Sequence, residues 1–165
     1  MTPAALIATV GGVGRAPMAP GTWGSLVALP LGFALHGLGG FPLMGAATLA
    51  LFFAGLWACH AYTGGDAQAD PPEVVIDEVV GMLITLWPLS LGLWLRGTDP
   101  WVFPWPGWVL GFILFRFFDI LKPPPIRRVE RIGGAWGVML DDVVAGLFAA
   151  LVAAAAAVVA HGVLL

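Results

Sequence analysis

The chain has 165 residues, 59% of them hydrophobic and 10% charged, with a formal net charge of −3 and a mean hydropathy of +0.93. Soluble domains carry about 25% charged residues, so an ordinary soluble globule is excluded and one compact integral membrane domain is indicated. The acidic balance offers nothing to a nucleic acid, and a single cysteine, Cys59, excludes an internal disulfide framework.

In chain order, the opening MTPAALIATVGGVG has no basic residue ahead of its short apolar run. It does not resemble a cleaved leader, so insertion is expected to rest on internal spans. No charge occurs between Arg15 and Asp66, which leaves room for two crossings of about 20 residues each. The first is placed at residues 24–35. Its shortness and Pro30 leave open a tilted, re-entrant or interfacial course. A Gly- and Pro-rich turn at 36–42 precedes a second span at 43–62. Residues 64–77 are polar and acidic, and Asp70-Pro71-Pro72-Glu73 reads as a helix start. A third span is expected at 79–95, a turn at 96–100, and a fourth span at 101–118 whose Trp101, Trp105 and Trp108 suit an interfacial belt. A fifth follows at 143–165, with Ala153–Ala157 small enough for close helix packing.

The fold class is therefore all-α: a small membrane bundle of about four to five embedded helices. With five crossings, Arg15, Lys122, Arg127, Arg128 and Arg131 share one side, with Arg116 near its edge, and Arg96 alone marks the other. The positive-inside rule makes the first side cytoplasmic and gathers every polar stretch of interest there, in an inner membrane. No feature fixes an oligomeric state.

Residues 116–146 hold five of the seven basic residues and four of the ten acids. Pro123–Pro125 and Gly133-Gly134 keep this stretch from forming one continuous helix. Two acidic pairs stand near span starts, in VVIDEVVGML (74–83) and VMLDDVVAGL (138–147). One acid suffices to cap a helix and complement its dipole. The adjacent one points about 100° away and is costly at a membrane unless paired or bound to a cation. Asp77, Glu78, Asp141 and Asp142 are therefore candidate metal ligands. Oxygen donors without a neighbouring imidazole or thiolate suit Mg²⁺, Mn²⁺ or Ca²⁺ better than zinc. His36, His161 and the mid-span Cys59-His60 are bystanders.

Arg116, Asp119 and Lys122 are spaced by three, which on a helix makes one face. It reads either as an interfacial salt-bridge ladder or as a phosphate-binding face in which Asp119 ligates metal or orients Arg116. Arg127, Arg128 and Arg131 suit anionic head groups as well as substrate. In RAPMAPGTWGS (15–25), Gly21 and Gly24 allow close backbone approach, and Thr22 and Ser25 are placed to cap the next span, whose N–H groups bind anions. The Lys-[Ser/Thr] ending of a P-loop is absent. Cysteine, haloacid-dehalogenase and histidine-nucleophile phosphatase signatures are also absent, as is that of the CDP-alcohol transferases.

Four blocks in order, APGTWGS (19–25), DPPEVVIDEVVGM (70–82), FRFFDILKPPPI (115–126) and GGAWGVMLDDVVAG (133–146), resemble the phosphatidylglycerophosphatase A family over most of the chain. The resemblance implies a membrane-bound, Mg²⁺-dependent phosphatase converting phosphatidylglycerophosphate, a phospholipid held in the bilayer, to phosphatidylglycerol. Mapped on these residues, Asp77, Glu78, Asp141 and Asp142 would hold one or two Mg²⁺. Arg116, Lys122 and Arg127, with the Gly21, Thr22 and Ser25 turn, would bind phosphate, and Asp119 or Glu78 would act as base. The competing reading is a small transporter or channel subunit using the acids as a cation path.

Overall fold

The computed structural model describes residues 1–163, with side chains through 160. The end of the expected fifth span, residues 164–165, and the His161 side chain lie outside the described residues. Among those described, every regular element is helical: α1 (Pro3–Ala8), a 3₁₀ turn (Val13–Arg15), α2 (Pro20–Tyr62), α3 (Ile76–Thr85), α4 (Trp87–Leu95), α5 (Trp105–Leu121), α6 (Pro124–Glu130) and α7 (Gly134–Val163).

The uncharged run from 16 to 65 forms α2, which opens on Pro20, where a missing N–H costs no hydrogen bond. Its 43 residues leave helical geometry at Gly39 and at Gly40, which has φ 62° and ψ −158°, a region open essentially to glycine. There the chain folds back. Gly24 packs on Val75 and Gly55 on Ile76, at the start of α3, whereas Gly32, between them in sequence, meets Leu83 and Leu86 near its end. The expected turn at 36–42 is thus present, and the expected first and second spans are the two arms of α2.

Helix α3 runs through the centre. Nine of its ten residues are buried, and it packs between α2 and α7. It ends at Leu86 because Pro88, in the first turn of α4, has no N–H to continue the ladder. The chain bends there by 40°. Contacts of Gly107 with Leu89, Gly111 with Thr85 and the Phe115 ring with Gly81 run α5 antiparallel to α3. Helix α7 runs parallel to α3 and crosses it where a side chain on Gly146 would overlap the Gly81 carbonyl. Thr85 Oγ1 donates to Gly81 O at 3.0 Å, with Gly146 O at 3.3 Å. Small residues permit this backbone approach. The parallel run of α3 and α7, against α5, brings the starts of α3 and α7 to the same end of the bundle as the finish of α5.

Among the described residues, two helices, Pro20–Tyr62 and Gly134–Ala160, are long and apolar enough to cross a membrane, and α3 with α4 makes a third if the bent pair acts as one span. Four to five embedded helices is looser than this. Helix α5 has 17 residues, about 26 Å against a core of about 30 Å. The expected fourth span shifts to 105–121 because Pro104 and Pro106 set the helix start. The fifth begins at Gly134, not at 143, because Gly133 and Gly134, both at positive φ, are the last residues that interrupt the helix.

Candidate active site

Because α7 starts at Gly134, Asp141 and Asp142 lie in its second and third turns. The expectation that both acidic pairs stand at helix starts holds for Asp77 and Glu78, in the first turn of α3, and fails for the second pair. There the orphan N–H groups and dipole of a helix end do not reach. What holds Asp141 and Asp142 is side-chain chemistry.

Adjacent residues on α7 face different partners. Asp142, 3% exposed, joins Asp77 and Glu78, and one carboxylate oxygen from each lies within 4.8 Å of the other two. Asp77 Oδ1 and Glu78 Oε2 are buried with no hydrogen-bond partner. Three carboxylates this close, with orphaned oxygens, are costly when all are ionised, and a cation among them would offset that charge. Hard oxygen donors without imidazole or thiolate fit Mg²⁺. Asp141 belongs elsewhere: its Oδ2 accepts from Lys122 Nζ at 2.7 Å and its Oδ1 from the Asp142 N–H at 2.9 Å.

Lys122 ends α5 in the left-handed region, φ 42°, with Pro123 blocking any continuation. It therefore leaves the helical face shared by Arg116 and Asp119. Its ammonium is held by Asp141 and, at 2.6 Å, by Glu130 Oε1 of α6. Burial pulls the Lys122 pKa down, but hydrogen bonds and charge from Asp141 and Glu130 outweigh this and hold it above the ordinary lysine value. Lys122 thus stays cationic and tethers α5, α6 and α7. Glu130 was not singled out by the sequence; it lies eight residues from Lys122, across a helix break that no spacing rule bridges.

Arg116 pairs with Asp119 at 2.5 Å and reaches Ser25 Oγ at 3.5 Å, while its Nε has no partner. Ser25 is fully buried and donates to Gly21 O at 2.9 Å inside α2. Neither Ser25 nor Thr22 caps the span, because the helix starts upstream at Pro20 with no side-chain cap. Gly21 does allow a close approach: any side chain there would overlap Glu78 Oε1.

These groups surround a cavity of about 580 Å³ at one end of the bundle, lined by Gly21, Asp77, Glu78, Arg116, Asp119, Lys122, Glu130, Asp141 and Asp142 and roofed by the segment 67–72. The Gly134 N–H donates to Ala67 O at 2.7 Å, pinning that roof to α7. Thr22, Ser25 and Arg127 do not line the cavity. Arg127 is exposed and donates to Leu121 O at 3.4 Å, and Arg128 and Arg131 are also exposed.

Fold and site together define a helical protein with apolar spans long enough for a membrane and a buried carboxylate trio beside an arginine at one end of the bundle. The sequence matches the family described as phosphatidylglycerophosphatase A over residues 6–157, and the chain belongs to that family. It is 40% identical to a putative phosphatidylinositol-3-phosphatase of Bacteroides thetaiotaomicron, over 92% of this chain and 91% of that one. It is 37% identical to phosphatidylglycerophosphatase A of Haemophilus influenzae, over 92% and 87%, and 35% identical to that of Escherichia coli, over 88% and 78%. No solved structure matches the chain.

Proposed function

We infer that the protein is a lipid phosphatase that hydrolyses phosphatidylglycerophosphate to phosphatidylglycerol and inorganic phosphate. Family membership and the two relatives of that name support the reaction. The observation that carries its chemistry is the trio of Asp77, Glu78 and Asp142 beside the partly unpaired guanidinium of Arg116. Water oxygen attacks phosphorus, the bond to the glycerol oxygen breaks, and that oxygen leaves with a proton as the free alcohol.

Asp77, Glu78 and Asp142 would hold Mg²⁺, which when bound supplies positive charge to the phosphoryl oxygens and lowers the pKa of a water. Arg116 offsets the charge that develops on the phosphoryl group, and Asp119 and Ser25 fix its guanidinium. Lys122 neutralises Asp141 and Glu130 instead of meeting phosphate directly. The excess of arginine and lysine at this end supports a site on the cytoplasmic side of an inner membrane, with Arg127, Arg128 and Arg131 toward anionic head groups.

A cation path is not favoured. Beyond Glu78, α3 continues as Val79–Thr85 without an ionisable side chain, and transport would need such groups deeper. The Bacteroides relative's name supports a second substrate class, the 3-phosphate of phosphatidylinositol. It is also a monoester on a lipid head group. Phosphate release from both lipids by purified protein in detergent, with Mg²⁺ and with EDTA, tests the reading. Metal-dependent release from phosphatidylglycerophosphate is expected, and none from either lipid would refute it.

A further inference from the structure

Arg116 and Ser25 meet where the first arm of α2 approaches α5. The seam between these two antiparallel helices continues away from the site as an apolar groove. Leu26, Leu29, Pro30 and Phe33 stand at i, i+3, i+4 and i+7, one face of α2. With Trp105 and Trp108 of α5 and the segment 102–104 they line an open groove of about 640 Å³ that presents no charged side chain. Aromatic rings mark the far end. Phe33 meets Trp101 edge-on at 5.6 Å and Phe103 at 6.2 Å, and any side chain on Gly37 would overlap the Trp101 ring. That ring is therefore seated on the α2 backbone. From Gly21 at the cavity rim to Phe33 the distance along α2 is about 18 Å, more than half the depth of a membrane core of about 30 Å.

We propose that this groove seats one acyl chain of the lipid whose head group enters the carboxylate cavity, and that Phe33, with the aromatic rings behind it, sets how much chain it takes. The proposal rests on the lipid phosphatase reading. Three observations select an acyl chain as occupant. The groove lies on the same pair of helices whose Arg116–Ser25 contact borders the polar site. Its walls are bulky Leu, Pro, Phe and Trp, whereas a partner helix would need small residues for close approach. The aromatic cluster of Phe33, Trp101 and Phe103 at its far end bounds its length, which an annular lipid lying along a plain surface would not meet.

The test uses a lipid phosphate with a photoreactive group on one acyl chain, incubated with the full-length protein in lipid nanodiscs. This readout does not depend on turnover. Crosslinks concentrated at residues 26–33 and 105–108, and displaced by unlabelled phosphatidylglycerophosphate, are expected. Equal labelling of the exposed α7 residues Leu151 and Val158 would overturn the groove. Kinetics give a second arm. Leu29→Trp fills the groove and is expected to lower kcat/KM on the diacyl substrate roughly tenfold relative to the deacylated, water-soluble head group. Phe33→Ala should move the preferred chain length upward. An unchanged ratio in Leu29→Trp, with the variant folded and active, would overturn the proposal. Absence of turnover on either substrate would instead count against the lipid phosphatase reading, with the crosslink pattern still deciding the groove.

Discussion

The two acidic pairs begin from similar surroundings and take different roles. VVIDEVVGML and VMLDDVVAGL are identical at five of ten positions, yet Asp77 and Glu78 both join the trio, while on α7 only Asp142 does and Asp141 turns to Lys122. The difference comes from where each helix begins. On α3 the pair sits in a first turn, where unpaired N–H groups favour carboxylates. On α7 the pair sits further along, and successive side chains separated by about 100° meet separate neighbours. One sequence pattern thus supplies two members of the trio at one place and one member plus a structural anchor at the other.

Breaking this comparison ranks the residues. Asp77→Asn and Asp142→Asn each remove a trio member and are expected to lower kcat roughly 10³-fold or more, read as phosphate release at saturating Mg²⁺, with membrane insertion intact. Arg116→Ala is expected to cost about 10²- to 10³-fold in kcat. Asp141→Asn and Lys122→Met, which disturb the tether and not the trio, should cost about 10- to 100-fold. Because they break the same pair, the double variant should lose less than the product of the two. Gly146→Ala overpacks the α3–α7 crossing and should destabilise by about 1–3 kcal/mol, read in detergent denaturation. Arg127→Ala, exposed and outside the cavity, is expected to change turnover by no more than about twofold.

Hydropathy and loop charge carried the helical class and the convergence of polar stretches on one end, because burial in lipid leaves helices few alternatives. The four acids and Arg116 were readable as residue types that a membrane tolerates only with a purpose, and Gly21 as a point of close backbone approach. Other features depended on where helices start and on contacts across breaks. Ser25 reads as a cap until α2 is seen to begin at Pro20, after which its hydroxyl lies inside the helix against Arg116. Lys122 reads as part of a helical face until Pro123 forces it into the left-handed region. Glu130 draws no notice in the sequence, and only the fold of α6 brings it onto Lys122. The seam between α2 and α5 joins residues far apart in sequence, and no local pattern announces it.

The proposed divalent cation site of Asp77, Glu78 and Asp142 is the one on which hydrolysis would depend. It is tested most directly by titrating Mg²⁺ into EDTA-treated protein and following phosphate release from phosphatidylglycerophosphate, for the wild type and for Asp142→Asn side by side. The account predicts saturable activation of the wild type from a negligible metal-free rate and no comparable activation of the variant at any Mg²⁺ concentration. Full turnover by metal-free wild type, or wild-type activation of Asp142→Asn, would contradict it.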